Sequence, residues 1–284
     1  FDINNFDDPE VWDLICSGKT KGVFQLESNL GRHWSKQLKP RNISELAALI
    51  SLIRPGCLKA YTDGKSMTQH YVDRKIGKDA VIYPHESLEE LLQETYGVLV
   101  YQEQSMMIAQ KLAGFDLKDA DSLRKAIGKK KAALMAEVKK SFIEGSERLN
   151  IVTKEVAEEI FSWIEKSNRY AFNKSHAVSY AINAYWSAYC KRWKNLDFYI
   201  AYLNHSQRKP DSQREIKELI VDAKSNDIEV YPPRLGHLYT EFERDQDTIY
   251  FGLSHIKNVG KNECSKIQEI TSSTDISNFT WLES

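Results

Sequence analysis

A mainly α-helical fold is predicted by three observations. Apolar residues recur at three- and four-residue spacing along most of the 284 residues. Helix-start and helix-stop residues punctuate these runs. Extended, β-rich texture is confined to a few short stretches near the start and after residue 228.

The elements follow in order. Asp8-Pro9-Glu10 opens a first helix: Asp8 can cap, Pro9 tolerates the first turn, and Glu10 suits the positive end. Val11, Leu14 and Ile15 give it an apolar face. Gly18 to Gly22 is a turn, and Val23 to Leu26 reads as a short strand. Ser44-Glu45-Leu46 opens a helix that Arg54-Pro55-Gly56 stops. A helix is expected from Ser87 to Glu94, broken by Tyr96-Gly97. Further helices are expected over 102–112, 116–127, 132–149 and 153–166. Ala177 to Tyr202 is long and aromatic-rich, the pattern of one buried central helix. Another helix runs from Ser212 to Ala223. Ile228 to Pro233 is extended, because two prolines end any helix at Tyr231. Glu241 to Glu243 and Thr248 to Phe251 form a hairpin around Arg244 to Asp247. A soft boundary falls near residue 228.

Composition bounds the function classes. Hydrophobic residues make up 42% and charged residues 28%, as in a soluble globular protein. No apolar run is long enough to span a bilayer, so no membrane partner is expected. A net charge of −1 predicts no nucleic-acid partner by itself. Cys16, Cys57, Cys190 and Cys264 lie far apart with no CxxC, which argues against a zinc knuckle or a disulfide framework and suits a reducing cytoplasm. The acidic, polar opening from Phe1 is not a secretory signal, and the chain reads as a piece of something longer.

Five constellations carry candidate chemistry. Asp119 to Lys131 places Arg124, Lys125, Lys129, Lys130 and Lys131 toward one helix end, which suits a triphosphate or a nucleic-acid backbone. A solvated lysine-rich turn is the plainer alternative, although Arg124 among Leu123, Ala126 and Ile127 is an unexpected place for a purely solvated arginine. Tyr170 to Ala177 gathers two aromatics, an amide, a cation, a hydroxyl and an imidazole just before the long helix. Ser175 or Asn173 can cap that helix, whose start is an anion site; a capping loop with a core histidine is the equal alternative. Tyr101 to Gln104 with Met106 and Met107 offers contacts to a nucleotide or template, or a capped amphipathic helix with methionine as filler. Arg54 in its rigid turn can meet a phosphate or simply end a helix. Gly252 to Gly260 leads toward a helix from Lys261 and either offers amides to a phosphate or makes an ordinary turn.

No metal site is expected. Asp7/Asp8 and Asp119/Asp121 do not share a face, Asp245/Asp247 lie in a turn, and the seven histidines lack ligand spacing. Neither GxxxxGK[ST] nor HExxH occurs.

In order along the chain, these segments resemble the alpha subunit of bacterial DNA polymerase III, the family C replicative polymerases. Gly22 to Ser28 matches VFQLES. Leu52 to Gly56 matches RPGP, with Cys57 in place of the last proline. Tyr96-Gly97 followed by Tyr101 to Gln104 matches YGI..YQEQ. Arg124 to Lys130 matches RRAMGKK, with Lys125 for the second arginine. Phe172 to His176 with Tyr180 matches FNKSHxxxY, with Ala171 where glycine is frequent. Gly252 to Gly260 matches GLxxIKNVG. Six motifs in the right order make the resemblance specific.

The resemblance implies a helical polymerase fingers domain with the edge of the palm: residues 1–30 ending the palm, 31–227 the helical fingers, and 228–284 a small α+β extension. It implies template-directed DNA synthesis as the activity of the full-length protein, a DNA-directed DNA polymerase. The family's catalytic palm aspartates match nothing here, so this chain alone is expected to be inactive. Nucleotide contacts are expected from Arg124, Lys125, Lys174 and His176, with Lys174 and His176 also placed for the leaving group. DNA contacts are expected from Lys129, Lys130, Lys131 and Arg54. The implied partners are dNTP, primer–template DNA, the remaining palm and thumb, and a sliding clamp with other replisome subunits reached through other regions. Mg2+ is expected in the full-length enzyme, bound outside this chain, and the location is expected to be cytoplasmic. The alternatives are a non-catalytic nucleic-acid-binding protein and a separate subunit of a split polymerase.

Overall fold

The computed structural model describes residues 2–129, 132–167 and 169–273. Helices dominate, as the periodicity predicts. They are α1 (Pro9–Ser17), α2 (Asn29–Leu38), α3 (Ile43–Leu52), α4 (Pro55–Lys59), α5 (Met67–Lys75), α6 (Glu89–Leu92), α7 (Gln102–Ala113), α8 (Leu117–Lys129), α9 (Ala132–Leu149), α10 (Lys154–Ser167), α11 (Lys174–Trp193), α12 (Asn195–His205), α13 (Ser212–Lys224) and α14 (Lys261–Ser273). Short strands make two small sheets. β1 (Tyr61–Thr62) and β2 (Lys65–Ser66) form an antiparallel ribbon. β3 (Val230–Tyr231), β4 (Glu243–Asp245) and β5 (Thr248–Tyr250) form a sheet in the order β3-β5-β4, parallel between β3 and β5 and antiparallel between β4 and β5.

The chain divides into two compact units. The first comprises residues 1–20 and 24–186, the second 21–23 and 187–284. In the first, α7, α8, α9 and α10 bury Ile108, Leu112, Leu123, Phe142, Ile160 and Phe161 in one core. Gly145 of α9 lies so close to the Ala113 carbonyl of α7 that a Cβ would collide with it, so this helix pair depends on a glycine. In the second, Tyr199, Leu203, Ile216, Leu219, Phe242 and Ile249 bury the helices against the sheet. The change of texture near residue 228 falls inside this unit.

Local signals explain most boundaries. The Asp8 carboxylate accepts from Glu10 N and Val11 N, and Gly18 closes α1 at φ +68°. Asn42, not Ser44, caps α3 by accepting from Glu45 N.

Three expectations are corrected and one element is added. Val23 to Leu26 is a turn rather than a strand. Gly22 and Gln25 both have positive φ, and Thr20 Oγ1 donates to Leu26 O, so the chain folds back on itself. The expected single helix over 177–202 is two helices. Lys194, at φ −130° and ψ 44°, ends helical geometry, and the Asn195 side chain accepts from Leu196 N, an alternative that asparagine offers the backbone. The expected helix over 87–94 is a short α-helical turn between two 3₁₀ turns. The β1–β2 ribbon was not expected. Its signal was Asp63-Gly64, which takes positive φ at both positions as a two-residue hairpin turn requires.

Candidate functional site

Three of the motifs meet at one junction in the first unit. Phe172 N donates to Val100 O and Gln102 N donates to Phe172 O, both at 2.9 Å, so the YQEQ and FNKSH segments run side by side. Gln104 is 4% exposed and fully engaged. Its carbonyl oxygen accepts from Val100 N and Tyr101 N at 3.0 Å, while its amide donates to Thr95 Oγ1 at 2.8 Å and Leu91 O at 3.3 Å. Glu103 accepts from Asn173 Nδ2 at 2.7 Å and from Lys174 N at 2.9 Å. A carboxylate there complements the positive end of the twenty-residue α11.

Arg54 ties in the third motif. Its Nη2 donates to Tyr170 O at 2.6 Å, its Nε donates to Ser51 O at 2.9 Å, and its guanidinium lies 4.3 Å from the Phe172 ring centroid. Gly56 lets Tyr170 approach, since a Cβ there would sit 2.8 Å from the ring. Cys57 is buried in α4 against the carbonyls of Ser51 and Tyr170, and burial pushes its thiol up. From Phe172 the rings continue to His176 at 5.4 Å, then Tyr180 at 4.1 Å, then Phe24 of the VFQLES segment at 5.1 Å. A row of rings therefore links the FNKSHxxxY and VFQLES motifs, which lie far apart in sequence.

At this junction one expectation changes and the Asn173 cap is borne out. His176 is exposed on the row, so a core histidine is not what the structure contains. The start of α11 is capped from within: Asn173 Oδ1 accepts from His176 N at 2.8 Å and Glu103 holds Lys174 N. Any anion bound here would therefore rely on side chains more than on free amides. Lys174 is half-exposed, with Nζ 2.6 Å from Glu94 Oε2 and 5.6 Å from the Tyr101 ring centroid. Nearby, Tyr96 donates its hydroxyl hydrogen to Glu45; burial, then that carboxylate, raise its pKa to about 12.

A second group is built within one helix. On α8, Leu123 and Ala126 are buried while Arg124 and Lys125 are exposed. Asp121 pairs with both, at 2.7 Å to Arg124 Nη2 and 2.6 Å to Lys125 Nζ. The hydrogen bonds from Lys125 and then Arg124 hold the Asp121 carboxyl below its usual range. Arg124 is thus a solvent-facing arginine with a helical neighbour, against the expectation drawn from its apolar flanks. Lys129 ends α8, and Lys130 and Lys131 lie outside the described residues. Arg124 and Lys125 form one group on α8, while Arg54, Lys174 and His176 form the other around α11.

The GLxxIKNVG segment makes a tight turn in the second unit. Gly252 packs against the Glu241 backbone with no room for a Cβ, and buried His255 pairs with Glu241 at 2.8 Å. Gly260 N donates to Glu263, so this glycine's amide is already engaged. Among the described residues, no group of three or more His, Cys, Asp or Glu is placed to hold a metal ion, and no helix is long and apolar enough to cross a membrane.

Sequence reasoning missed the partners of the cations. Asp121 was legible as the carboxylate three and four residues before Arg124 and Lys125. Glu94 and Glu103 were not, because they reach Lys174 only through tertiary structure.

The sequence pattern of the bacterial DNA polymerase III alpha subunit finger domain matches residues 1–150. The chain is also similar to DNA polymerase III subunit alpha of Aquifex aeolicus (41% identical over 264 residues, 93% of this chain and 22% of the relative). It is 38% identical to that of Thermus aquaticus over 268 residues (93% and 21%) and 35% identical to that of Escherichia coli K12 over 269 residues (93% and 22%). The chain therefore spans about a fifth of the length of these relatives. With the pattern covering more than half of its residues, the chain belongs to the bacterial DNA polymerase III alpha subunit finger domain family.

Proposed function

We propose that this chain is the fingers region of a replicative DNA-directed DNA polymerase and binds incoming dNTP and primer–template DNA. One observation carries the reading. The RPG, YQEQ and FNKSH segments interlock through backbone pairing, Glu103 and Arg54, and the junction presents Lys174 and His176 toward solvent. Relatives along 93% of the chain are named as DNA polymerase III alpha subunits, which supports the same assignment.

In this reading Arg124 and Lys125 meet the triphosphate, with the planar guanidinium gripping two oxygens and the ammonium adding a point charge. Asp121 holds both cations until a phosphate displaces it. Lys174 similarly exchanges Glu94 for phosphate, and His176 is accessible to donate a proton as pyrophosphate leaves. Lys129, Lys130 and Lys131 meet the DNA backbone. Arg54 acts mainly on the frame, since two of its nitrogens are taken by carbonyls. In this reading the Mg2+ of the full-length enzyme is held by residues outside this chain. Palm, thumb and clamp contacts belong to other segments of a longer polymerase. A cytoplasmic location accords with four free cysteines.

The test is a primer-extension assay on the Aquifex aeolicus subunit with its matching segment replaced by this chain. Template-dependent extension is expected. A folded chimera that binds primer–template yet adds no nucleotide would contradict the assignment.

A further inference from the structure

The three-stranded sheet of the second unit has two unlike faces. Ile249 of β5 and Val230 of β3 pack into that unit's core. Residues alternate across a strand, so Tyr250 and Tyr231 lie on the opposite face, where the two are paired in register. Glu243 of β4 pairs with Tyr250 from the other side, and Asp245, two residues on, shares its face.

This outer face is aromatic. Tyr250 is buried, and other rings cover it. His237 stacks on it with centroids 4.1 Å apart and planes at 17°, and Tyr231 and Tyr239 each lie at 6.1 Å. Those three covering rings are half-buried, so they also reach solvent. The layer is held in shape. Pro232 and Pro233 stiffen the link that leaves Tyr231. His237 N donates to Arg234 O, Leu253 N donates to Tyr239 O, and Gln268 Nε2 of α14 donates to Leu238 O at 2.7 Å. Rings fixed in this way lose little freedom when something docks on them.

The same face is acidic. Residues 241–247 carry four carboxylates against one arginine, and that Arg244 reaches toward Asp197 of α12 at 3.8 Å. Glu243 and Asp247 have no cationic partner among the described residues, and Asp245 has the His237 imidazole at 3.8 Å. Burial, then the charges of Asp245 and Glu243, push the Tyr239 hydroxyl up, which agrees with carboxylates standing beside the ring layer. Half-open rings next to unneutralised carboxylates fit a guanidinium, whose flat side stacks on a ring while its edge donates to oxygen. The chain holds an example of the first contact: exposed Arg234 places its guanidinium 4.3 Å from the Tyr231 ring centroid. The excess of negative charge disfavours a phosphate backbone at this face.

We propose that this outer sheet face docks an arginine-bearing segment of a partner protein. Its guanidinium groups stack on Tyr239 and, in place of Arg234, on Tyr231, and they pair with Glu243 and Asp245. The surface uses none of the residues proposed for dNTP and stands whether or not those bind it.

The test is fluorescence anisotropy of the whole chain with a short fluorescein-labelled peptide of alternating arginine and serine. Peptides of the same length with lysine or glutamate in place of arginine are the comparison. The arginine peptide is expected to bind tightest, the lysine peptide less tightly and the glutamate peptide not at all. Tyr239→Leu keeps apolar bulk over Tyr250 but removes a ring, and should weaken arginine-peptide binding by about tenfold. Glu243→Gln with Asp245→Asn should weaken it by a similar factor and make its salt dependence shallower. Both carboxylates are exposed, so this double variant should keep the parent's unfolding midpoint. Arg234→Ala should tighten binding, because the internal guanidinium is the competitor. Equal affinity for the lysine peptide, insensitivity to Tyr239→Leu, unchanged binding by the double carboxylate variant, or weaker binding on Arg234→Ala would each overturn the proposal. All four would leave the fingers assignment intact.

Discussion

The cations of α8 and those around the start of α11 are held in opposite ways. Arg124 and Lys125 are held by Asp121 from within a single helix, so their geometry needs no other element. Arg54 and Lys174 are held across sequence, by Tyr170 and Ser51 carbonyls and by Glu94. A locally paired cation can change partner without disturbing the fold. Arg54, bonded to two backbone carbonyls, cannot leave without loosening the segments it joins, whereas Lys174 can exchange its half-exposed Glu94 partner. The α8 group is therefore suited to catch and release a charged ligand, and the junction to hold a surface in fixed shape.

Breaking the junction should cost most. Gln104→Leu would strand two buried backbone N–H groups, so about 2–5 kcal/mol of stability should be lost, measurable as a lower midpoint in thermal unfolding. Arg54→Met keeps apolar bulk against Phe172 but loses both carbonyl bonds, and about 1–3 kcal/mol is expected by the same measurement.

The buried charges of the second unit sharpen the contrast through pH. Lys21 Nζ lies 2.9 Å from both Glu215 and Glu218. Burial is the largest influence on Lys21 and opposes its charge, yet the hydrogen bonds it donates to Glu215 and Glu218 together raise its pKa. The hydrogen bond from Lys21, then that from Arg214, lowers Glu218 from 4.5 to about 2. A depressed carboxylate stabilises the fold fully above its unfolded value and loses that contribution as pH falls through its folded one. The Glu218 share should thus be present above about pH 4.5 and disappear toward about pH 2. Glu218→Gln should flatten acid unfolding over that window, with solvent at the half-exposed carboxylate keeping the effect small. The smallest stability effect is expected from Asp121→Asn on exposed α8, with an unchanged unfolding midpoint and tighter dNTP binding, read as a lower KM for dNTP in the chimera, because two cations are released.

Much of this contrast was legible in sequence, for physical reasons. Helices such as α7, α9 and α13 announce themselves because apolar spacing and end residues agree. The Asp121 pairing follows from helical geometry alone. The ring row from Phe172 to Phe24 was not legible, since it joins residues 148 positions apart that only the fold brings together. The Val23 to Leu26 turn is not legible because apolar Phe24 and Leu26 alternate as in a strand, while the decisive facts, positive φ at Gly22 and Gln25, are backbone properties. The ring layer around Tyr250 had no signature either, because it joins β3, β5 and the segment between β3 and β4.

The division between gripping and framing cations is tested most directly by the dNTP dependence of primer extension in the Aquifex aeolicus chimera carrying Arg124→Ala. A fall in kcat/KM for dNTP of about ten- to a hundredfold, the loss of a charged hydrogen bond, is predicted with an unchanged unfolding midpoint. An unchanged kcat/KM would contradict the account and return Arg124 to an ordinary surface arginine.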